Sequence, residues 1–173
     1  MDMWCVADAI HQNAVAHGWW DEPRTAEEIA VLINAEWSEA LEAFQAHEPM
    51  EHDEDGKPEG IAVELVDGCI RILDYLATTV PQEDAVRWQV KPYIDREVSH
   101  LPLPRLVYYL TEMVVDARRL GEGKGVLESG LLRGCITTVM GWCKTNGADF
   151  CDILKRKHEY NRTRPYRHGG KRI

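Results

Sequence analysis

Thr25-Ala-Glu-Glu-Ile-Ala-Val-Leu-Ile-Asn-Ala-Glu36-Trp-Ser-Glu39-Ala-Leu-Glu-Ala-Phe44 decides the fold class. Thr25 followed three residues later by Glu28 is a capping-box pattern that opens a helix. Ile29, Leu32, Ile33, Trp37, Ala40, Leu41 and Phe44 then recur at three- and four-residue spacing, one apolar face of that helix. Pro49 ends it.

The same period continues along the chain. A second strong helix is expected from about Ile61 to Thr79, with Val63, Val66, Ile70, Leu73 and Leu76 as its stripe and Pro81 closing it. One or two further helices are expected between Gln82 and Glu122, broken near Leu101-Pro-Leu-Pro104. Two more follow, near Leu127 to Lys144 and near Asp149 to Asn161, the Asn146-Gly147 pair marking the stop between them. β signals are scarce: no Asn-Gly or Asp-Gly turn lies between alternating apolar runs. Glu48 to Gly60 therefore reads as a polar, acidic loop, and Arg162 to Ile173 as an extended basic tail. The fold class is all-α, a helical bundle. With 173 residues, 45% of them hydrophobic, residues 1–173 suit a single domain.

Composition excludes several classes. A chain with 28% charged residues and only 13 Gly and 8 Pro is neither collagen-like nor low-complexity. No apolar run reaches the roughly 18 to 20 residues of a membrane helix, so no membrane partner is expected. Met1-Asp-Met-Trp-Cys-Val-Ala-Asp8 resembles no signal peptide, and a cytoplasmic location is expected. Cys5, Cys69, Cys135, Cys143 and Cys151 form no Cys-x-x-Cys pair, which argues against a zinc knot or a disulfide framework. A net charge of −9 speaks against a nucleic-acid polymer as partner.

Charge is unevenly distributed. Gly18 to Asp67 holds fifteen acidic residues against Arg24 and Lys57, whereas Lys155 to Ile173 holds eight Lys and Arg against Glu159. One region suits cations and the other anions.

Two acidic pairs carry the chemistry. Glu36 and Glu39 lie in the first strong helix, Glu64 and Asp67 in the second. Residues three apart on a helix sit about 60° from one another around its axis, so each pair projects two carboxylates side by side. If the helices pack antiparallel, four carboxylates converge, and their repulsion calls for a cation. An all-carboxylate donor set favours Mg²⁺, with Mn²⁺ as a substitute. Lys157, Asn161 and Arg164, running off a helix end into the basic tail, suit phosphate oxygens and a polar base edge. Asp74 lies two turns beyond Asp67 on nearly the same face and extends the site, unless a salt bridge to Arg71 engages it. Trp19, Trp20 and Trp37 read as core residues, with base stacking the alternative.

Together, Glu36-x-x-Glu39, Glu64-x-x-Asp67 and Lys157-x-x-x-Asn161-x-x-Arg164 resemble the MazG-like all-α nucleoside triphosphate pyrophosphohydrolases, the superfamily of dimeric dUTPases and dCTP pyrophosphatases. Gly18-Trp-Trp20, Ser38-Glu-Ala-Leu-Glu42 and Glu64-Leu-Val-Asp-Gly-Cys-Ile-Arg-Ile-Leu-Asp74 are similar too, and Tyr160-Asn-Arg-Thr-Arg-Pro-Tyr-Arg-His-Gly-Gly-Lys171 is close to MazG-like proteins of phage and bacterial type. Ala35 departs from relatives that open the first motif with two Glu, and the helices between about 82 and 130 read as an elaboration.

The resemblance implies hydrolysis of a nucleoside triphosphate substrate to monophosphate and pyrophosphate at a Mg²⁺ site. Glu36, Glu39, Glu64 and Asp67 would be metal ligands and catalytic groups, Glu39 orienting the water. Lys157, Asn161, Arg164 and Asp74 would bind substrate. A homodimer or homotetramer is implied, consistent with short helical pairs that need partners for their apolar stripes. The rival is a catalytically silent helical scaffold that binds nucleotide or a protein partner. A ferritin-like di-iron protein needs two Glu-x-x-His motifs, and Glu97-Val-Ser-His100 is a single copy. Gly121-Glu-Gly-Lys-Gly125 lacks the spacing of a P-loop.

Overall fold

The computed structural model describes residues 3–79, 96–121 and 125–170. In chain order they form α1 (Met3–Ala16), α2 (Ala26–Gln45), β1 (His52–Glu54), β2 (Lys57–Glu59), α3 (Ile61–Thr79), α4 (Arg96–Ser99), α5 (Leu103–Gly121), α6 (Gly125–Thr145) and α7 (Phe150–Thr163). The expected all-α class holds, with one small sheet added. Among the described residues, no helix is long and apolar enough to cross a membrane. The chain from Gln82 to Ile94, and with it the start of the expected elaboration, lies outside the described residues.

Helix α2 starts where its capping box places it. Thr25 Oγ1 accepts from the Glu28 N–H at 3.2 Å, and the Glu28 carboxylate accepts from the Thr25 N–H at 2.8 Å. Its buried face is Ile29, Ile33, Trp37, Ala40 and Ala43. Phe44, expected on that face, is 46% exposed, and the smaller Ala43 takes the contact.

Helix α3 is the centre of the molecule. Its expected stripe is buried, and so are Ala62, Leu65, Cys69 and Ile72. A helix apolar around most of its circumference must be wrapped by others. Here α1, α2, α6 and α7 surround it. Antiparallel pairs run outward from α2: Asn34 accepts from Thr111 of α5 at 2.7 Å, and Glu27 pairs with Arg118 at 2.9 Å. The Pro-rich break falls between α4 and α5, where Trp142 of α6 donates to the Leu101 carbonyl at 2.9 Å. Asp149 caps α7 through the Cys151 and Asp152 N–H groups.

Three features differ from the sequence reading. The acidic loop is a β-hairpin, pairing Glu54 with Lys57. Asp55 and Gly56, with φ of 51° and 84°, make the tight turn, and both lie in the left-handed region such a turn requires. At its end Gly60 (φ 116°) lies so close to the Pro49 and Met50 carbonyls that a Cβ would stand 2.8 Å from the first. Those carbonyls accept from the Ile61 and Ala62 N–H groups and tie down the start of α3. Helix α1, which the sequence reading did not place, buries Met3, Ala7 and Ile10. Finally, residues 164–170 of the basic tail fold back instead of extending. The Arg167 N–H donates to His17 O at 3.0 Å, Tyr166 bonds Asp21, and the His168 and Trp19 rings pack edge-to-face with their centres 4.9 Å apart. The tail finds partners on the α1–α2 connection, which an expectation built on charge and Pro/Gly content overlooks.

Candidate metal centre

The site begins with a packing contact. Trp37 of α2 is fully buried, and its Nε1–H donates to the Leu65 carbonyl of α3 at 3.3 Å. Gly68 makes room for it: a Cβ there would lie 2.7 Å from Trp37 Cδ1. The chain neighbours of these two residues are Glu36 and Asp67. Close approach of the helices therefore brings the acidic motifs together.

Glu36, Glu64 and Asp67 each place a carboxylate oxygen so that all three lie within 4.8 Å of one another. This is no solvated face: the Glu64 and Asp67 side chains are 8% and 14% exposed. Among the described residues, two cations face the cluster. Arg71, one turn beyond Asp67, holds Glu36 Oε1 through Nε and Nη2, both at 3.0 Å. From α7, Lys157 reaches in with Nζ 2.9 Å from Asp67 Oδ2 and 3.7 Å from Glu64 Oε1, and it also donates to the Pro58 carbonyl at 3.1 Å. Asp67 Oδ1 is buried without a hydrogen-bond partner.

Electrostatics follow from this crowding. Burial, then the adjacent Asp67 charge, push the Glu64 carboxyl up to about 9 against the pull of Lys157. A proton held there is also bonded by Glu59 of β2. Burial raises Asp67 to about 6, opposed by Lys157. For Lys157 itself, burial works against the charge, but Asp67 and Glu64 outweigh it and keep the ammonium above its ordinary value.

A cleft of about 270 Å³ collects the eight residues singled out from the sequence: Glu36, Glu39, Glu64, Asp67, Asp74, Lys157, Asn161 and Arg164 all line it. They do not stand alike. Three of the four acids converge; Glu39 is exposed and stands where this cleft meets a second, acidic one of about 620 Å³. Ala35 lines both clefts. Lys157 lies among the acids. Asn161 and Arg164 remain on the wall, half-buried.

Asp74 corrects a sequence expectation. Arg71 turns to Glu36 rather than to Asp74. Instead Asp74 accepts from Trp20 Nε1 at 3.0 and 3.1 Å and bonds His11 Nδ1 at 2.7 Å. Trp19 is buried beneath Arg24, whose guanidinium carbon lies 5.3 Å from its ring centre.

Sequence reasoning missed Glu59, His11 and the Arg71–Glu36 pair. The Asp55-Gly56 turn signal pointed to the hairpin that delivers Glu59, while the two long-range pairings have no local signature.

An orphaned, buried carboxylate oxygen beside two further carboxylates fits a hard divalent cation, which takes oxygen ligands. These residues define a helical protein with an acid-lined, lysine-plugged pocket at the floor of a cleft. No family model, curated protein or solved structure matches the chain.

Proposed function

We propose that this protein is a Mg²⁺-dependent nucleoside triphosphate pyrophosphohydrolase of MazG-like type, converting an NTP or dNTP to the monophosphate and pyrophosphate. One observation carries this: Glu36, Glu64 and Asp67 converge, with Asp67 Oδ1 orphaned, in a cleft whose wall bears Lys157, Asn161 and Arg164. Mg²⁺ held by the three acids would supply Lewis acidity, a more acidic bound water and charge neutralisation on the phosphates. Glu39, exposed at the cleft junction, orients the attacking water. Lys157 and Arg164 take phosphate oxygens, and Asn161 bonds a phosphate or a base edge. Asp74 forms the far wall, fixed by His11 and Trp20. The working form is a cytoplasmic homodimer or homotetramer.

A second reading has its own support. Lys157 neutralises the buried acids without any metal, as a catalytically silent scaffold would need.

Pyrophosphate release from a panel of NTPs and dNTPs with Mg²⁺, Mn²⁺ or EDTA separates the two. Metal-dependent pyrophosphate with a monophosphate product is expected, falling more than about 100-fold in a folded Glu64→Gln variant. No turnover by a folded protein across the panel leaves the scaffold. Orthophosphate as product would move the cleaved bond to the terminal phosphate.

A further inference from the structure

Resting on the reading of the carboxylate cluster as a divalent-cation site, we propose that Lys157 is a built-in stand-in for that cation, displaced when the metal binds and then received by the phosphates of the substrate.

The Lys157 ammonium sits where an ion would. It contacts three oxygens, from Asp67, Glu64 and the Pro58 carbonyl, and its side chain is only 3% exposed. A lysine buried this far persists only when its charge is paired. Helix α7 explains how it arrives: Phe150, Ile153, Leu154 and Lys157 share the buried face, so the lysine occupies a position where the pattern calls for an apolar residue.

The two cations at the cluster differ in their freedom. Arg71 grips Glu36 from the side through two nitrogens of a planar fork, and its side chain is 27% exposed. Lys157 is a point charge on a flexible four-carbon stem, able to swing away without moving its helix. A divalent ion against Asp67 and Glu64 would stand within a few ångströms of the ammonium in a buried setting. Repulsion at that range makes the two alternatives.

The cleft gives the released lysine a destination. Lys157 lines the same wall as Asn161, one turn further along α7, and Arg164. Without an anion there, expelling the ammonium leaves it unpaired, so metal alone binds weakly. With a triphosphate there, the lysine exchanges carboxylate partners for phosphate partners. Metal and triphosphate then strengthen each other's binding by the same factor.

The test is calorimetric titration of Mn²⁺ alone into the full-length wild type and Lys157→Met, with amine acetylation of the wild type followed by peptide mass spectrometry. Lys157→Met should bind Mn²⁺ roughly tenfold tighter or better, because the competing charge is gone. In the wild type, Lys157 should resist acetylation in EDTA and become several-fold more reactive in saturating Mn²⁺. Equal Mn²⁺ affinity of the two proteins, with Lys157 protected throughout, overturns the displacement and leaves the metal site standing. Absence of Mn²⁺ binding by both sinks the metal-site reading and this inference with it. If Lys157→Met does not fold, acetylation of the wild type decides alone.

Discussion

Asp67 and Asp74 stand seven residues apart on α3, two turns on and on nearly the same face, yet they are held in opposite ways. Asp74 is held by two rings: the Trp20 indole N–H reaches both of its oxygens and His11 Nδ1 bonds one. Asp67 has one oxygen on a flexible lysine and the other buried with no partner. Half-buried rings bonded to a buried carboxylate position an element; here they fasten α1 and the chain after it to α3. A counter-charge on a flexible stem beside an unpartnered oxygen is what the proposed exchange of lysine for metal requires. Two identical side chains on one helix thus differ by their partners alone, and on the proposed reading that difference separates anchor from metal ligand.

Exchanging each acid for its amide is the most direct way to break that contrast. Asp67→Asn should lose Mn²⁺ binding by more than about 100-fold because the ligand is gone, and should lose stability by about 3 kcal/mol or more in urea unfolding because buried Lys157 is left without its nearest counter-charge. Asp74→Asn should spare the metal site. Its new NH₂ would face the donors that Asp74 accepts from, lowering stability by about 1–3 kcal/mol in urea unfolding, with Mn²⁺ affinity within about twofold of wild type. Similar losses of metal binding in both variants would erase the distinction.

The pH dependence of stability sharpens it next. Glu64, raised from 4.5 to about 9 by burial and then by Asp67, contributes stability through its protonated form. That contribution is fully present below about 4.5 and is lost as the pH rises through about 9. In EDTA the melting temperature should therefore fall by roughly 5 °C or more between pH 5.5 and pH 9, a few kcal/mol for a chain of this size. Glu64→Gln should flatten the slope, since an amide has no proton to lose. An unchanged slope in that variant would place the pH sensitivity elsewhere.

The sequence made one half of this contrast legible. Both acidic pairs lie on helices because their apolar neighbours have helical period, and the Thr25 and Asp149 caps mark helix starts in a local code. Glu36 was readable as a site residue because it is paired with Glu39 three residues on, beside the apolar stripe that holds Trp37. The other half depends on contacts distant in the chain. Arg71 had two acids within reach, Glu36 and Asp74, and only the packing of α1, which brings His11 and Trp20 to Asp74, decides between them. The hairpin escaped because His52-Asp-Glu54 and Lys57-Pro-Glu59 lack the β-branched and aromatic residues that betray strands, although Asp55-Gly56 is a strong turn pair. In the sequence Lys157 reads as one phosphate-binding member of the basic run. Its place on the stripe of Phe150, Ile153 and Leu154 was the overlooked signal that it points inward.

Gly68 offers the smallest and most specific perturbation, because it lies beside Asp67 and packs against Trp37 of α2. Any side chain there meets the Trp37 ring, which is fully buried and has no room to retreat. In Gly68→Ala the added methyl gains a little helix propensity but forces α2 and α3 apart, a net loss of about 1–3 kcal/mol. The displacement falls between Glu36 on one helix and Asp67 on the other, so the three-acid cluster opens. His11, Trp20 and Asp74 belong to the α1–α3 contact and should keep their geometry. Mn²⁺ titration should then show weakened binding, while the Trp20 indole N–H resonance holds its wild-type NMR shift. Should that resonance move as far as the metal affinity falls, the two ends of α3 would be one mechanical unit, and the division between anchor and site would have to be given up.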